Sequence, residues 1–300
     1  MSSIKVWLLA ARLRTLPLSV AGIFMGAGLA LRDGQFSFVI FILALLTTVA
    51  FQVLSNFAND YGDGVKGTDN ASRVGPTRAL GSGLLSRKRL KNGIITTVII
   101  GAVLSLSLIY VAFGSEKIGT ILVFIFLGAA AIAAAIKYTV GDNAYGYRGM
   151  GDVFVFLFFG LLGVLGSTYL FTEHLEPLDL LPALTLGFFS TAVLNLNNMR
   201  DLVEDKKVGK KTLAVILGPE KVRHYHYALL IMGMVLWTAF IVLTAQSIID
   251  YFALVPLLSI LRHMYVVQTT AQLPSLDGEL KVVALSTFLL AFVYYITQMV

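Results

Sequence analysis

The stretch Asn56-Phe57-Ala58-Asn59-Asp60-Tyr61-Gly62-Asp63 closes an apolar run that begins near residue 37. A helix continued through it places Asn56, Asp60 and Asp63 at i, i+4 and i+7, on one face. Acceptor groups so placed beside hydrocarbon are costly unless a cation or hydrogen-bond donors meet them. A second copy lies far downstream. There Asn197-Asn198-Met199-Arg200-Asp201-Leu202-Val203-Glu204-Asp205 closes another apolar run and sets Asn197, Asp201 and Asp205 at i, i+4 and i+8. Two acidic helix ends of this kind point to one divalent-metal site above a bundle of apolar helices.

Working outward, the chain has 300 residues, of which 57% are hydrophobic and only 13% charged. That is too apolar for a soluble globular domain, and the fold class is all-α, a polytopic membrane protein. With no cysteine, disulfides, thiolate nucleophiles and cysteine-held metal centres are excluded. The net charge of +6 falls in the connections between apolar runs, where membrane topology accounts for it, so no nucleic-acid partner is indicated. The first apolar run lacks the features of a cleaved signal and is read as a retained helix.

Runs near the ~20 residues a bilayer requires occupy 17–31, 37–57, 93–113, 118–137, 152–171, 180–199, 227–246, 248–267 and 281–299. That makes nine spans, with Gln246 to Asp250 serving as a very short turn. Placing the N-terminus in the cytoplasm puts all of the 23 Lys and Arg residues on that side except Arg32 and Lys117. An asymmetry of that size fixes the orientation by the positive-inside rule and sets both acidic corners on the cytoplasmic face of the cell membrane. The expectation is one transmembrane domain over 1–300, with cytoplasmic loops 58–92 and 200–226 capping the active site. A weak internal repeat pairs the second and sixth spans, each ending in an acidic corner and a basic loop, and would bring these ends together around a central cavity. Glycines such as Gly22, Gly26 and Gly28, or Gly160, Gly163 and Gly166, permit close helix packing.

Magnesium takes hard oxygen ligands and is held by a few carboxylates together with substrate phosphates. Asp60, Asp63, Asp201 and Asp205 supply the carboxylates, and Asn56, Asn59, Asn197 and Asn198 supply neutral donors. Arg73, Arg78, Lys210 and Lys211 stand nearby, so carboxylate, metal and cation together make a diphosphate site. The apolar bundle would take a lipid tail, and the substrate implied is a long-chain prenyl diphosphate. The plainer reading of either corner alone is a solvated helix end whose aspartates pair with nearby lysines. Two corners on one face, each with the same Asn-to-Asp spacing, weigh against it.

Asn59-Asp60-Tyr61-Gly62-Asp63 and Arg200-Asp201-Leu202-Val203-Glu204-Asp205, followed by Gly209-Lys210-Lys211-Thr212-Leu213-Ala214, resemble the intramembrane aromatic prenyltransferases of the UbiA superfamily. Arg14-Thr15-Leu16-Pro17, Asn56 to Asp69, Gly75-Pro76-Thr77-Arg78-Ala79, Lys137-Tyr138-Thr139 and Tyr145-Gly146-Tyr147-Arg148-Gly149-Met150-Gly151-Asp152 bring it nearest to the branch acting on 1,4-dihydroxy-2-naphthoate. The resemblance covers about the first three-quarters of the chain. It implies Mg2+-dependent transfer of a polyprenyl group from its diphosphate to an aromatic acid, with loss of the ring carboxylate as CO2. The loop Val140 to Ala144 lacks the proline expected before Tyr-Gly-Tyr in that branch, and 4-hydroxybenzoate is the alternative acceptor.

Tyr138, Tyr145 and Tyr147 are candidates to face an allylic cation with their rings, or else belong to an interfacial aromatic belt. Lys137 and Arg148 are candidates for the diphosphate or the acceptor carboxylate, against ordinary positive-inside placement. His224-Tyr225-His226 mimics a metal pair, but i, i+2 spacing on a helix makes the rings diverge, and it reads as interfacial. His263 and His174 show no partner pattern. The basic run Arg87 to Lys91 reads as an anchor on anionic membrane lipid. A cation-coupled secondary transporter is the competing class. Its site belongs near the bilayer midplane, whereas these carboxylates fall at span ends.

Overall fold

The computed structural model describes residues 2–67 and 77–300, so the candidate Arg73, with Asp69, Gly75 and Pro76, lies outside the described residues. Among the described residues, nine helical segments are long and apolar enough to cross a membrane, and none is in a β-strand. An unpaired backbone amide in hydrocarbon costs several kcal/mol, so the apolar runs can only close their hydrogen bonds internally, as helices.

The first span is broken. Helix α1 (Ser3–Ala11) ends at Arg12, whose φ of 49° is left-handed, and a 3-10 turn leads into α2 (Leu16–Arg32), with Pro17 in its first turn. The break frees carbonyls that need donors. Asn56 meets one, its Nδ2 donating to the Ala11 carbonyl (2.8 Å) and to Thr15 Oγ1 (3.0 Å).

Span number and order match the sequence reading, but several ends move. Helix α3 (Phe38–Lys66) runs through the whole first acidic corner and stops at Gly67, where φ is 70°. Helix α4 (Arg87–Phe113) starts at a Ser86 cap whose hydroxyl accepts the Arg89 N–H. After α5 (Ile118–Lys137), the fifth span is built from α6 (Gly151–Val155), a π-helical stretch Phe156–Gly166 and α7 (Ser167–Thr172). Helix α8 (Leu180–Arg200) leads through α9 (Leu202–Lys207) to α10 (Leu213–Thr244), which is kinked at Gly218. The expected loops 58–92 and 200–226 are therefore partly helical, because a helix has no reason to end at the hydrocarbon edge until a glycine, proline or cap stops it. The short turn before α11 (Leu257–Thr269) holds as expected, with the Ser247 N–H donating to Asp250 Oδ2 (2.9 Å). Helix α12 (Asp277–Thr297) closes the bundle.

Helix α8 is the hub, packing on α10, the π-helical stretch and α12. Its Leu186, Phe189, Ala192, Leu196 and Met199 are essentially inaccessible. Close crossings are made where glycines face each other: a Cβ on Gly160 would stand 2.5 Å from Gly187 Cα, and one on Gly22 2.9 Å from the Gly163 carbonyl. By contrast α5, which packs on α3 and α4, has no fully buried residue. The core thus fixes α8, the bearer of the second acidic corner, while α3 carries the first.

Candidate active site

The last turns of α3 divide their polar groups between two tasks. Asp60 is buried, and its two oxygens accept the N–H groups of Ala79 (Oδ2, 3.0 Å) and Leu80 (Oδ1, 3.2 Å). This ties the segment after residue 76 to the helix and returns Arg78 toward Asp63, Nη2 to Oδ2 at 3.3 Å. Asp63 Oδ1 in turn accepts the Tyr147 hydroxyl at 2.8 Å. Asn59 Oδ1 accepts from Thr139 Oγ1 (3.3 Å), and Asn56 serves the α1–α2 break described above. Of the first corner, then, Asp63 is the carboxylate set among a cation and a phenol, and Asp60 is the anchor.

In the second corner Arg200, with a side chain only 1% exposed, grips Asp201 with both edges of its fork: Nε to Oδ1 at 2.7 Å and Nη2 to Oδ2 at 2.6 Å. Asn197 Oδ1 also accepts from Nη2 (2.9 Å), and Asn198, next in the chain, is buried. One turn on, Asp205 pairs with Lys210 (Nζ to Oδ1, 3.4 Å), while its Oδ2 is buried without a hydrogen-bond partner. Burial raises the Asp205 pKa, the nearby Asp201 and Asp63 charges raise it further, and Lys210 opposes both. A buried orphan oxygen among converging carboxylates asks for a cation.

Tyr147 joins the corners. Besides its bond to Asp63, its ring lies 4.0 Å from Lys66 Nζ and 5.5 Å from Lys210 Nζ, and its carbonyl accepts the Lys211 N–H at 3.1 Å. Tyr138 packs edge-to-face with Tyr145, ring centroids 5.3 Å apart. Burial, then the Asp152 charge, pushes the Tyr138 phenol up, and burial does the same for Tyr145, so both stay neutral. The Tyr145 hydroxyl is spent on the Ala134 carbonyl (2.9 Å). Lys137, Arg148 and the Lys211 side chain are exposed, and Arg148 is bonded to Asn143.

Among the described residues, no three His, Asp or Glu groups form a ready cage for an ion. Mg2+ is bound by one or two carboxylates plus phosphate oxygens rather than by a protein cage. The donor set, hard oxygens with an orphan at Asp205, therefore fits it.

A sequence model described as the UbiA prenyltransferase family matches residues 19–275. The chain belongs to the UbiA prenyltransferase family. It is 40% identical to a 1,4-dihydroxy-2-naphthoate octaprenyltransferase of Haemophilus influenzae, over 94% of this chain and 92% of the relative. It is 38% identical to the protein of that name from Escherichia coli, over 99% and 97%. Among solved structures it shares its fold with a UbiA homolog from Archaeoglobus fulgidus bound to GPP and Mg2+ (TM-score 0.73, 15% identity, 98% and 100% covered). The apo UbiA homolog from Aeropyrum pernix is similar too (TM-score 0.74, 14% identity, 96% and 99% covered). Membership in a prenyltransferase family removes the transporter reading.

Several participants carry no sequence signal. Asp277 accepts from Arg200 Nη1 at 2.6 Å, and Tyr225 donates to Asp152 Oδ2 at 3.0 Å. The histidine reading needs correction: His226 is not interfacial but inaccessible, with its Nε2 2.8 Å from His263 Nε2, and His263 Nδ1 lies 2.8 Å from Glu279 Oε2. The partner stands 37 residues away on another helix, beyond the reach of any local spacing rule.

Proposed function

We propose that this UbiA-family protein transfers a polyprenyl group from polyprenyl diphosphate to 1,4-dihydroxy-2-naphthoate, with release of diphosphate and CO2, giving demethylmenaquinone. The observation that carries the diphosphate half is the link between the corners, in which Tyr147 contacts Asp63 on one side and Lys210, the partner of Asp205, on the other. The names of the two relatives above support the acceptor.

Asp63, Asp201 and Asp205 would hold Mg2+, with Asn59, Asn197 and Asn198 beside them and Asp60 acting on the site through the Ala79–Leu80 backbone. When bound, the metal supplies neutralising charge to the departing diphosphate. Arg78, Lys66 and Lys210 bind its oxygens, and Lys211 extends the cationic surround. Tyr147 orients Asp63. As the C–O bond to diphosphate weakens, neutral Tyr138 and Tyr145 supply aromatic rings to the allylic cation, and the apolar spans keep water from it. Lys137 and Arg148 are left for the carboxylate of the incoming acid.

The protein works as one domain over 1–300 in the cell membrane, N-terminus and active site toward the cytoplasm, with the connections after α3 and α8 as its cap. The test is turnover of a long-chain prenyl diphosphate by the purified protein with each acid separately. Prenylation and CO2 release with the naphthoate alone are expected. Turnover of 4-hydroxybenzoate alone would keep the chemistry and overturn the acceptor.

A further inference from the structure

We propose that Asp277 is a positioning residue of the diphosphate site, acting through Arg200 on Asp201, an inference that rests on the reading of that site given above. Asp277 opens α12 and lies just past residue 275, where the family match ends. The Arg200 guanidinium is planar, and its edges are all engaged: Nε and Nη2 on Asp201, Nη2 also on Asn197, and Nη1 on Asp277 at 2.6 Å. A fork held on opposite sides by two carboxylates has one orientation, and that orientation sets the plane of Asp201.

Charge gives Asp277 its second effect. Arg200 is buried, so its full charge must be met close by. Were Asp201 its sole carboxylate partner in this contact, the guanidinium would draw hard on the lone pairs that a metal needs. A second carboxylate shares the cation and so weakens its draw on the Asp201 oxygens.

The turn that bears Asp277 is itself anchored. Two residues on, Glu279 accepts from Arg262 Nη1 (2.6 Å) and sits 2.8 Å from His263 Nδ1, and His263 meets His226 of α10. Both imidazoles are fully buried. The first turn of α12 is thereby tied to α10 and α11, so the Asp277 carboxylate reaches Arg200 from a fixed base.

Asp277→Asn removes the charge while keeping the shape, at a side chain 45% exposed. The probe is Mg2+ titrated calorimetrically in the presence of inorganic diphosphate, alongside the Mg2+ requirement of turnover and the Tm. Loss of a group that orients a metal-binding carboxylate typically weakens metal affinity by about 10-fold or more. The same shift is expected in the half-saturating Mg2+, with a smaller change in kcat at saturation, and Asp277→Glu should recover most of it. Arg200→Lys, which cannot fork, should reproduce the shift if the Asn variant does not purify. A half-saturating Mg2+ within about twofold of wild type would overturn the proposal, and a fall in Tm alone would make the contact merely structural. If wild type and Asp205→Asn differ in Mg2+ binding as the site requires while Asp277→Asn matches wild type, this inference fails alone. If wild type binds no Mg2+ with diphosphate, the site reading fails and takes this one with it.

Discussion

The Tyr147 hydroxyl donates a 2.8 Å hydrogen bond to Asp63 Oδ1, across a separation of 84 residues. The bond fixes one carboxylate of the first acidic corner from a loop that also leans, through Lys210 and Lys211, on the second. A hydrogen bond to a charged group is worth about 1.5–3 kcal/mol. Tyr147→Phe keeps the ring beneath Lys66 and Lys210 and removes that bond. Prenyl transfer should fall by about 10-fold or more, read as kcat/KM for the prenyl diphosphate, with Tm little changed. An unaltered kcat/KM would show that Asp63 needs no such orientation.

Asp60 and Asp63 are three residues apart and should fail differently. Asp60 has both oxygens on backbone amides, and in Asp60→Asn one oxygen becomes an NH2 facing an N–H donor. An unmatched buried donor costs about 1–3 kcal/mol. The variant should lose stability and be cut more readily by protease after residue 76, and its activity should fall through displaced Arg78. Asp63→Asn should retain wild-type protease resistance and lose transfer. Limited proteolysis beside an activity assay separates the two, and equal resistance in both variants would contradict the anchoring role of Asp60.

The helix crossing at Gly160 tolerates no side chain. A Cβ there would stand 2.5 Å from Gly187 Cα and 2.7 Å from the Ala183 carbonyl, backbone atoms that cannot step aside. Overpacking of this kind costs about 1–3 kcal/mol. Gly160→Ala should lower the Tm in detergent by several degrees, whereas Gly119→Ala, with open space around it, should not. Similar melting of the two would mean that the α8 crossing relaxes freely.

The nine spans were legible because each apolar run must be a helix in hydrocarbon, and the two acidic corners stood out because Asn and Asp recur at helical spacing. Their ends were less so. Gly67 marks the stop of α3 in plain sight, yet hydropathy alone ends that span near residue 57, since it measures the lipid and not the helix. The division of labour between Asp60 and Asp63 was hidden for another reason: both lie on one helix end, and only the path of residues 77–80 shows which carboxylate is consumed by backbone amides. Asn56 is a similar case, facing the α1–α2 break rather than the cation-lined side. The buried His226–His263–Glu279 chain and the Arg200–Asp277 pair join residues on different helices, which no periodicity within a helix can report.

The most direct measurement is binding of an unreactive prenyl thiolodiphosphate to the full-length protein, with Mg2+ and with chelator, in wild type, Asp63→Asn, Asp205→Asn and the double variant. Groups that serve one metal-bridged site are strongly non-additive. Binding should require Mg2+, drop by about 10-fold or more in each single variant, and drop little further in the double. Binding that survives chelation, or losses in the single variants that simply add, would contradict a single site shared by the two acidic corners.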